Sequence, residues 1–519
     1  MNNKSTKLLL PLLGISLLAL SSCKPASNNS SKAPGGLPQS SINWEDDSIN
    51  DLQYDEAGNV VFNNVELNMW SVCTSPDSEY QDQLVRDFNE AYKGQIKINV
   101  YHESRYSIYS ALAATVTQDP DNAPDIFYGY GEKIASLQNN DIIVPMDYYL
   151  DLANIGFSRE YFEPVLINNC YVGNRLFGLP VSVDSTMIFV RKDILVKNGL
   201  SIPTNYVELM ATCDSLVEKA QAGELWVRGN DSQYISTGNV YEWRKYVPEV
   251  EGQYYPFPIS SGDMWVNAYL SQTVALQNGG KLVDENGMPA YNSDEVAKGL
   301  QILRDWTTPT STSQNKYALS KIDLNYDAGI SEFHSGVACF YLDGAWSGYK
   351  DTAKIDTMFA AEGGSKENLS ILNFGNLFAL DNTQSYANKI FGDSHTATIV
   401  KTCKSRTERV AAAVFSNYLA ENSGGVWTQA GHLPASLIVQ QSEDLFLGNE
   451  YYEKYVQYYG TPSQYETFPQ TIYYDEIYES YQIAIKQAMA STFLNKPIKD
   501  ILQENYDDCV QRISDREDL

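Results

Sequence analysis

Histidine is the scarcest chemistry-bearing residue in this sequence, with four copies among 519 residues. The seven cysteines stand singly, with no CxxC pair and no histidine at metal-ligand spacing. Spacing therefore predicts neither a zinc site nor a redox dithiol. No GxSxG, HExxH or Walker lysine motif occurs, which removes the usual signatures of serine hydrolases, zinc peptidases and P-loop nucleotide enzymes. A basic stripe is also missing. Formal net charge is −28, the wrong sign for a phosphate backbone, so nucleic acid is not an expected partner. Past the N-terminus no apolar run is long enough to span a bilayer and no repeat is visible. No cofactor and no metal is expected.

The N-terminus carries a basic region, Lys4 and Lys7, followed by an apolar run from Leu8 to Leu20 that Pro11 and Gly14 interrupt. It is shorter than the ~20 apolar residues a spanning helix needs, so residues 1–22 read as an export leader. Leu20, Ser21, Ser22 and Cys23 resemble the lipobox of bacterial lipoproteins, which implies acylation of Cys23. Residues 23–55 would be the lipid anchor and a Ser-, Asn- and Pro-rich tether. The other cysteines are Cys73, Cys170, Cys213, Cys339, Cys403 and Cys509. A chain this long builds its core without staples, so these are expected as isolated buried thiols more than as disulfides.

In order along the chain, Asp55–Asn59 signals a turn and Val60 to Trp70 a strand or hairpin. Ser75 and Pro76 open a helix whose apolar face is Tyr80, Leu84, Phe88 and Ala91. Gly94 ends it, and Ile96, Ile98 and Val100 alternate as a strand. A helix over 104–118 and a short buried strand at 124–128 follow. This strand–helix–strand order predicts a parallel sheet with helices on its faces, and ligands in such sheets bind at the strands' carboxyl ends. Residues 178–193 read as two strands with Asp184 between them, either capping a turn or hooking a ligand. Pro203 and Thr204 open a helix, residues 228–262 form an irregular aromatic-rich insertion, and Ser293 caps a helix. Phe391 to Cys403 reads as one strand, and a helix over 407–420 ends at Gly424 and Gly425. The C-terminal region is helical by pattern.

Five features in this order resemble the maltose-binding-protein-like, sugar-binding family of bacterial extracellular solute-binding lipoproteins of ABC importers. They are the lipobox at Cys23, PDIFYGYGEKIASLQ (124–138), LFGLPVSVDSTMIFVRKDIL (176–195), NGGKLVDENG (278–287), and FHSGVACFYLDGAWS followed by TERVAAAVFSNYLAENSGGVWTQAGHLPAS. The resemblance implies an α/β, periplasmic-binding-protein-like fold of two lobes joined by crossing strands. One lobe would hold residues 56–182 and 391–440, the other 183–390 and the helical part 441–519. It implies a monomer, not an enzyme, that takes a carbohydrate by hinge closure and delivers it to membrane permease subunits; the alternatives are an exported carbohydrate-active enzyme, with Asp184 and Glu132 as its carboxylate pair, or a binder of a non-sugar solute such as a peptide or polyamine. The protein would sit at the outer face of the cytoplasmic membrane, as in Gram-positive bacteria.

Sugars offer hydroxyls for bidentate hydrogen bonds and an apolar face for stacking, so their clefts combine carboxylates with aromatic rings. On the family's pattern Asp184 is expected as the hydroxyl acceptor at the first crossing and Trp346 as a ring facing the cleft. Glu132, with Tyr128 and Tyr130, falls in a loop where the family places polar and aromatic contacts. Trp265, Asn267, Trp427, His395 and Trp70 complete the candidate ligand-binding set, each with a core role as the alternative. The aromatic stretch from Tyr241 to Tyr255, including Trp243, could form a rim for a longer oligosaccharide. Replacing Asp184 with Ala is expected to weaken binding while barely moving the melting point of the free protein.

Overall fold

The structure, a computed structural model, describes residues 51–75, 77–103, 105–228, 243–261, 264–334, 336–344, 369–372, 375–422, 424–430, 432–442 and 464–517. Cys23 and Trp346 lie outside these residues, as do the side chains of Trp265 and Asn267. In chain order the strands are β1 (Val65–Ser71), β2 (Ile96–His102), β3 (Ile126–Tyr130), β4 (Ile143–Val144), β5 (Tyr171–Val172), β6 (Arg175–Leu176), β7 (Gly178–Pro180) and β8 (Ser182–Arg191). They continue with β9 (Trp226–Val227), β10 (Arg244–Lys245), β11 (Phe340–Gly344), β12 (Leu369–Leu372), β13 (Ile390–Asp393), β14 (His395–Val400), β15 (Leu433–Pro434) and β16 (Tyr465–Glu466).

The first lobe is built on a sheet of order β2-β1-β3-β14-β4, with β7 also on β14. β1 runs parallel to β2 and β3, as the alternation of strand and helix patterns requires. The helix Asp77–Ala91 buries Leu84 and Phe88 as its periodicity predicts, while Ala91 is exposed. Gly94 follows with a φ of 78°, a left-handed conformation that suits glycine. Much later in the chain the helix Arg406–Asn422 returns to this lobe. Its Phe415 and Tyr418 pack edge-on against Phe88, with ring centroids 4.8 and 5.1 Å away.

A second sheet, of order β11-β8-β13-β16 with β12 and β15 also on β8, organises the second lobe. Its core includes Trp306, packed on Phe257 and Phe378, with the indole N–H donating to the Tyr206 hydroxyl at 3.3 Å. The helix Tyr206–Gln221 is capped by Asn205, which accepts from the Glu208 N–H, and not by the expected Pro203 and Thr204. The helix Asp294–Thr307 starts at Ser293 as expected. Tyr246 and Tyr254 of the aromatic insertion are buried against each other, and the Trp243 ring covers the Arg228 guanidinium at 4.3 Å. These described members of the proposed rim are packing residues.

Two readings of strands change. Residues 182–191 form one continuous strand, because β8 trades partners along its length: β15 at 182–183, β13 at 184–185, then β11 and β12 beyond. Asp184 therefore does not cap a turn. Conversely, the apolar run after Phe391 is two strands, β13 in the second sheet and β14 in the first, separated by Ser394. Gly424–Trp427 is a further helical turn where a helix stop was expected. The six cysteines among the described residues are all buried and none is in a disulfide, as expected. Among the described residues no helix is long and apolar enough to cross a membrane.

Candidate functional site

The chain crosses between sheets at 180–182 and again at 393–395, and the segment 432–435 runs alongside. Backbone bonds tie the three together: the Val181 N–H donates to the His395 carbonyl at 2.8 Å, and the Ala435 N–H to the Val181 carbonyl at 3.0 Å. Every residue of β8 is buried, consistent with its run of β-branched and large apolar side chains. Whatever polar group sits here must find its partners within the protein.

Asp184 finds three. One carboxylate oxygen lies 2.6 Å from Nδ1 of His432 and the other 3.1 Å from Nδ1 of His395. The Ser182 hydroxyl donates to the same carboxylate at 3.1 Å, and it accepts the His395 backbone N–H at 3.3 Å. Burial raises the Asp184 pKa, but the two imidazoles outweigh it and hold the carboxyl far below its ordinary value. The opposite ring nitrogen of His432, Nε2, pairs with Asp77 at 3.2 Å. An imidazole with a carboxylate at each nitrogen is best protonated on both. Burial works against that charge, yet Asp77 and Asp184 raise the His432 pKa to about 10.

Aromatic rings enclose this chain of charges. The Trp427 ring stacks on His432 with centroids 5.1 Å apart, while Tyr128 and Tyr130 stack on His395 at 5.4 and 5.2 Å. Trp427 is fully buried and its indole N–H has no hydrogen-bond partner. The glycines that follow each of these tyrosines have clear reasons. A Cβ at Gly129 would meet the Tyr109 hydroxyl at 2.5 Å, and that hydroxyl accepts the Tyr130 N–H. A Cβ at Gly131 would meet the Ser394 hydroxyl at 2.8 Å.

Glu132 sits beside, not inside, this cluster. It is buried and accepts a hydrogen bond from the Tyr474 hydroxyl. Its neighbour Lys133 pairs with Asp475 and lies over the Tyr109 and Tyr474 rings. Tyr474 and Asp475 open the helix Tyr474–Met489, which reaches the second lobe through the Tyr291 hydroxyl on Ser480. Asp393 is buried as well. Burial first, then the Glu132 charge, pushes its carboxyl well above the ordinary value.

The donor atoms of Asp184, His395 and His432 lie within 4.8 Å of one another, a grouping a divalent cation could use. Two ligands of one tetrahedral zinc stay about 3.3 Å apart, given metal–ligand bonds near 2.0–2.1 Å. The 2.6 Å between His432 and Asp184 is instead a charge-assisted hydrogen bond.

Residues 83–445 match the family described as bacterial extracellular solute-binding protein. The chain belongs to that family. A relative from Deinococcus radiodurans, named "Probable ABC transporter-binding protein", is 24% identical over 193 residues, or 37% of this chain and 40% of the relative. The match thus spans less than half the length of that relative. The solute-binding fold extends further in solved structures. The GacH receptor of Streptomyces glaucescens aligns with a TM-score of 0.63 at 14% identity, over 86% of this chain and 97% of that one. The maltotriose binding protein of Thermus thermophilus aligns with 0.59 at 15% identity, over 86% and 100%.

Of the residues singled out in the sequence, Asp184, His395, Tyr128, Tyr130 and Trp427 meet at the crossing, and Glu132 adjoins them. Trp70 points elsewhere: its ring tilts against Tyr101 at 6.1 Å and lines a shallow cavity with Asn99 and Asn122. Trp265 and Asn267 belong to the helix Met264–Gln277. Missed were His432, Ser182, Asp393 and Tyr474. The one available signal for His432 was the rarity of its residue type beside the crossing segment's Pro434.

Proposed function

We propose that this solute-binding protein captures a carbohydrate, an oligosaccharide, between its two lobes and delivers it to the permease of an ABC importer. The observation that carries this reading is the convergence of Asp184, His395, His432, Tyr128 and Trp427 where the two crossing segments and the strand alongside them meet. An ionised carboxylate accepts about four hydrogen bonds, so Asp184 keeps capacity for a sugar hydroxyl when the lobes part. The unpartnered Trp427 indole N–H supplies a donor, and the rings around it supply faces for C–H stacking. Structural relatives support the class of ligand: the GacH receptor was solved with acarbose and the Thermus protein with maltotriose. The loop at Glu132 and the helix carrying Trp265 and Asn267 would complete the contacts from either lobe, with Trp346 from the segment after β11. In this reading the mature protein is a monomer, acylated at Cys23 and held at the outer face of the cytoplasmic membrane.

Binding without turnover fits the charges. Glycoside hydrolysis needs two carboxyl groups ~5 to 9 Å apart across the bond, one acid and one free base or nucleophile. Here Asp184 is locked between two imidazoles and Asp393 favours its proton. A thermal-shift screen over mono- and oligosaccharides, with chromatography of the mixtures, tests the reading. The expected result is a raised melting point for at least one oligosaccharide and no new sugar products. Products, or no shift with any sugar, would overturn it.

A further inference from the structure

The second lobe holds a cavity of about 410 Å³ away from the charged cluster, in the size range of small-molecule pockets. Its walls come from the end of the helix Met264–Gln277, the hairpin that follows, β13 and β16. Leu276, Leu282, Val283, Phe391 and Pro469 make most of the lining apolar. Lys281 and Glu285 are exposed at its edge.

The polar groups on the wall are nearly all spoken for. Lys389 pairs with Glu466 at 2.6 Å. Asp284 accepts the Asn286 and Met288 N–H groups and closes the hairpin turn. Gln272 differs: it is 2% exposed, it lines the cavity, and its side-chain Nε2 has no hydrogen-bond partner. A buried amide donor left unpaired is costly, and an acceptor delivered by a ligand would remove that cost. Tyr386 stands at the mouth within 3.0 Å of where a Cβ on Gly279 would lie, so glycine there lets the ring close over the turn.

We propose that this cavity is a second ligand site, distinct from the crossing between the lobes, for a compact, neutral, mainly apolar molecule with one carbonyl or ether oxygen. The apolar body fills the space against Leu276, Val283 and Phe391, and the oxygen accepts from Gln272 Nε2. A charged ligand is disfavoured because the lining is mostly apolar and its wall already pairs Lys389 with Glu466. A free sugar is disfavoured because one donor cannot satisfy a ring of hydroxyls.

Camphor, a rigid apolar cage with a single carbonyl, is the probe. Saturation-transfer NMR on the whole mature protein should show transfer to camphor that oligosaccharides do not displace. Leu276→Trp, which fills the cavity, should abolish it. Gln272→Leu, which keeps the volume and removes the donor, should weaken it roughly tenfold, and it reads the proposal independently if the tryptophan variant folds poorly. Absence of transfer in the wild type up to camphor's solubility, or undiminished transfer in both variants with native melting curves, overturns the proposal.

Discussion

Asp184 and Asp393 lie directly opposite each other across the antiparallel pair β8–β13, and their surroundings drive them to opposite charge states. Like charges facing across a ladder are destabilising. Two imidazoles keep Asp184 ionised, whereas burial and Glu132 favour the proton on Asp393. Their surroundings thus favour the ionised form of one and the protonated form of the other.

Breaking the ion pairs should cost stability even without ligand. Removing one partner from a buried pair leaves a charge uncompensated and typically costs ~3–5 kcal/mol. His432→Gln and Asp184→Asn are each expected to lower the unfolding free energy of the free protein, measured by urea titration, by an amount in that range. This revises the expectation from sequence that Asp184 could be replaced with little effect on the free protein. Unchanged unfolding curves would contradict the geometry.

The same cluster sets a pH dependence. His432 has its pKa raised from about 6.5 in an unfolded chain to about 10 in the fold. Its contribution is therefore complete below about pH 6.5 and lost as pH climbs toward 10. Asp184, lowered in the fold, contributes above about pH 4 and loses its share below that. Between these limits both contributions are complete, and the His432 share is lost on the alkaline side, so His432→Gln should flatten the alkaline limb of the melting profile.

Asp393 carries the opposite sign. A carboxyl raised by folding stabilises fully below the unfolded value of ~3.9 and progressively less as pH rises. Asp393→Asn mimics the protonated acid, so it should match the wild type near pH 4 and melt higher at pH 8. A lower melting point at both pH values would mean that Asp393 is ionised in the fold.

Metal removal should have no effect on folding. With the 2.6 Å hydrogen bond between His432 and Asp184, the cluster is satisfied by protons. Dialysis against a chelator is expected to leave the melting point unchanged, whereas a fall that zinc restores would point to a shared ion.

Much of the first lobe was legible because its signals are local. Apolar alternation in Ile96–Val100 and the helical face of Leu84 and Phe88 depend on near neighbours in sequence. The resemblance brought Asp184 to the crossing for the same reason: its pattern lies in one contiguous stretch. What could not be read was partner exchange. Nothing within residues 182–191 tells that four different strands take turns on β8. Nor does spacing show that His395 and His432 converge on one carboxylate that lies 248 residues before the latter. Glu132 reads as a loop carboxylate open to ligand, and only the distant Tyr474 explains its burial.

Hinge closure around a sugar is the central claim. A ligand that completes contacts only in the closed form shifts the open and closed populations. Small-angle scattering of the mature protein, free and saturated with the oligosaccharide that gives the largest melting shift, measures that directly. A smaller radius of gyration in the saturated sample is the predicted result. An unchanged scattering curve at saturation would contradict the account.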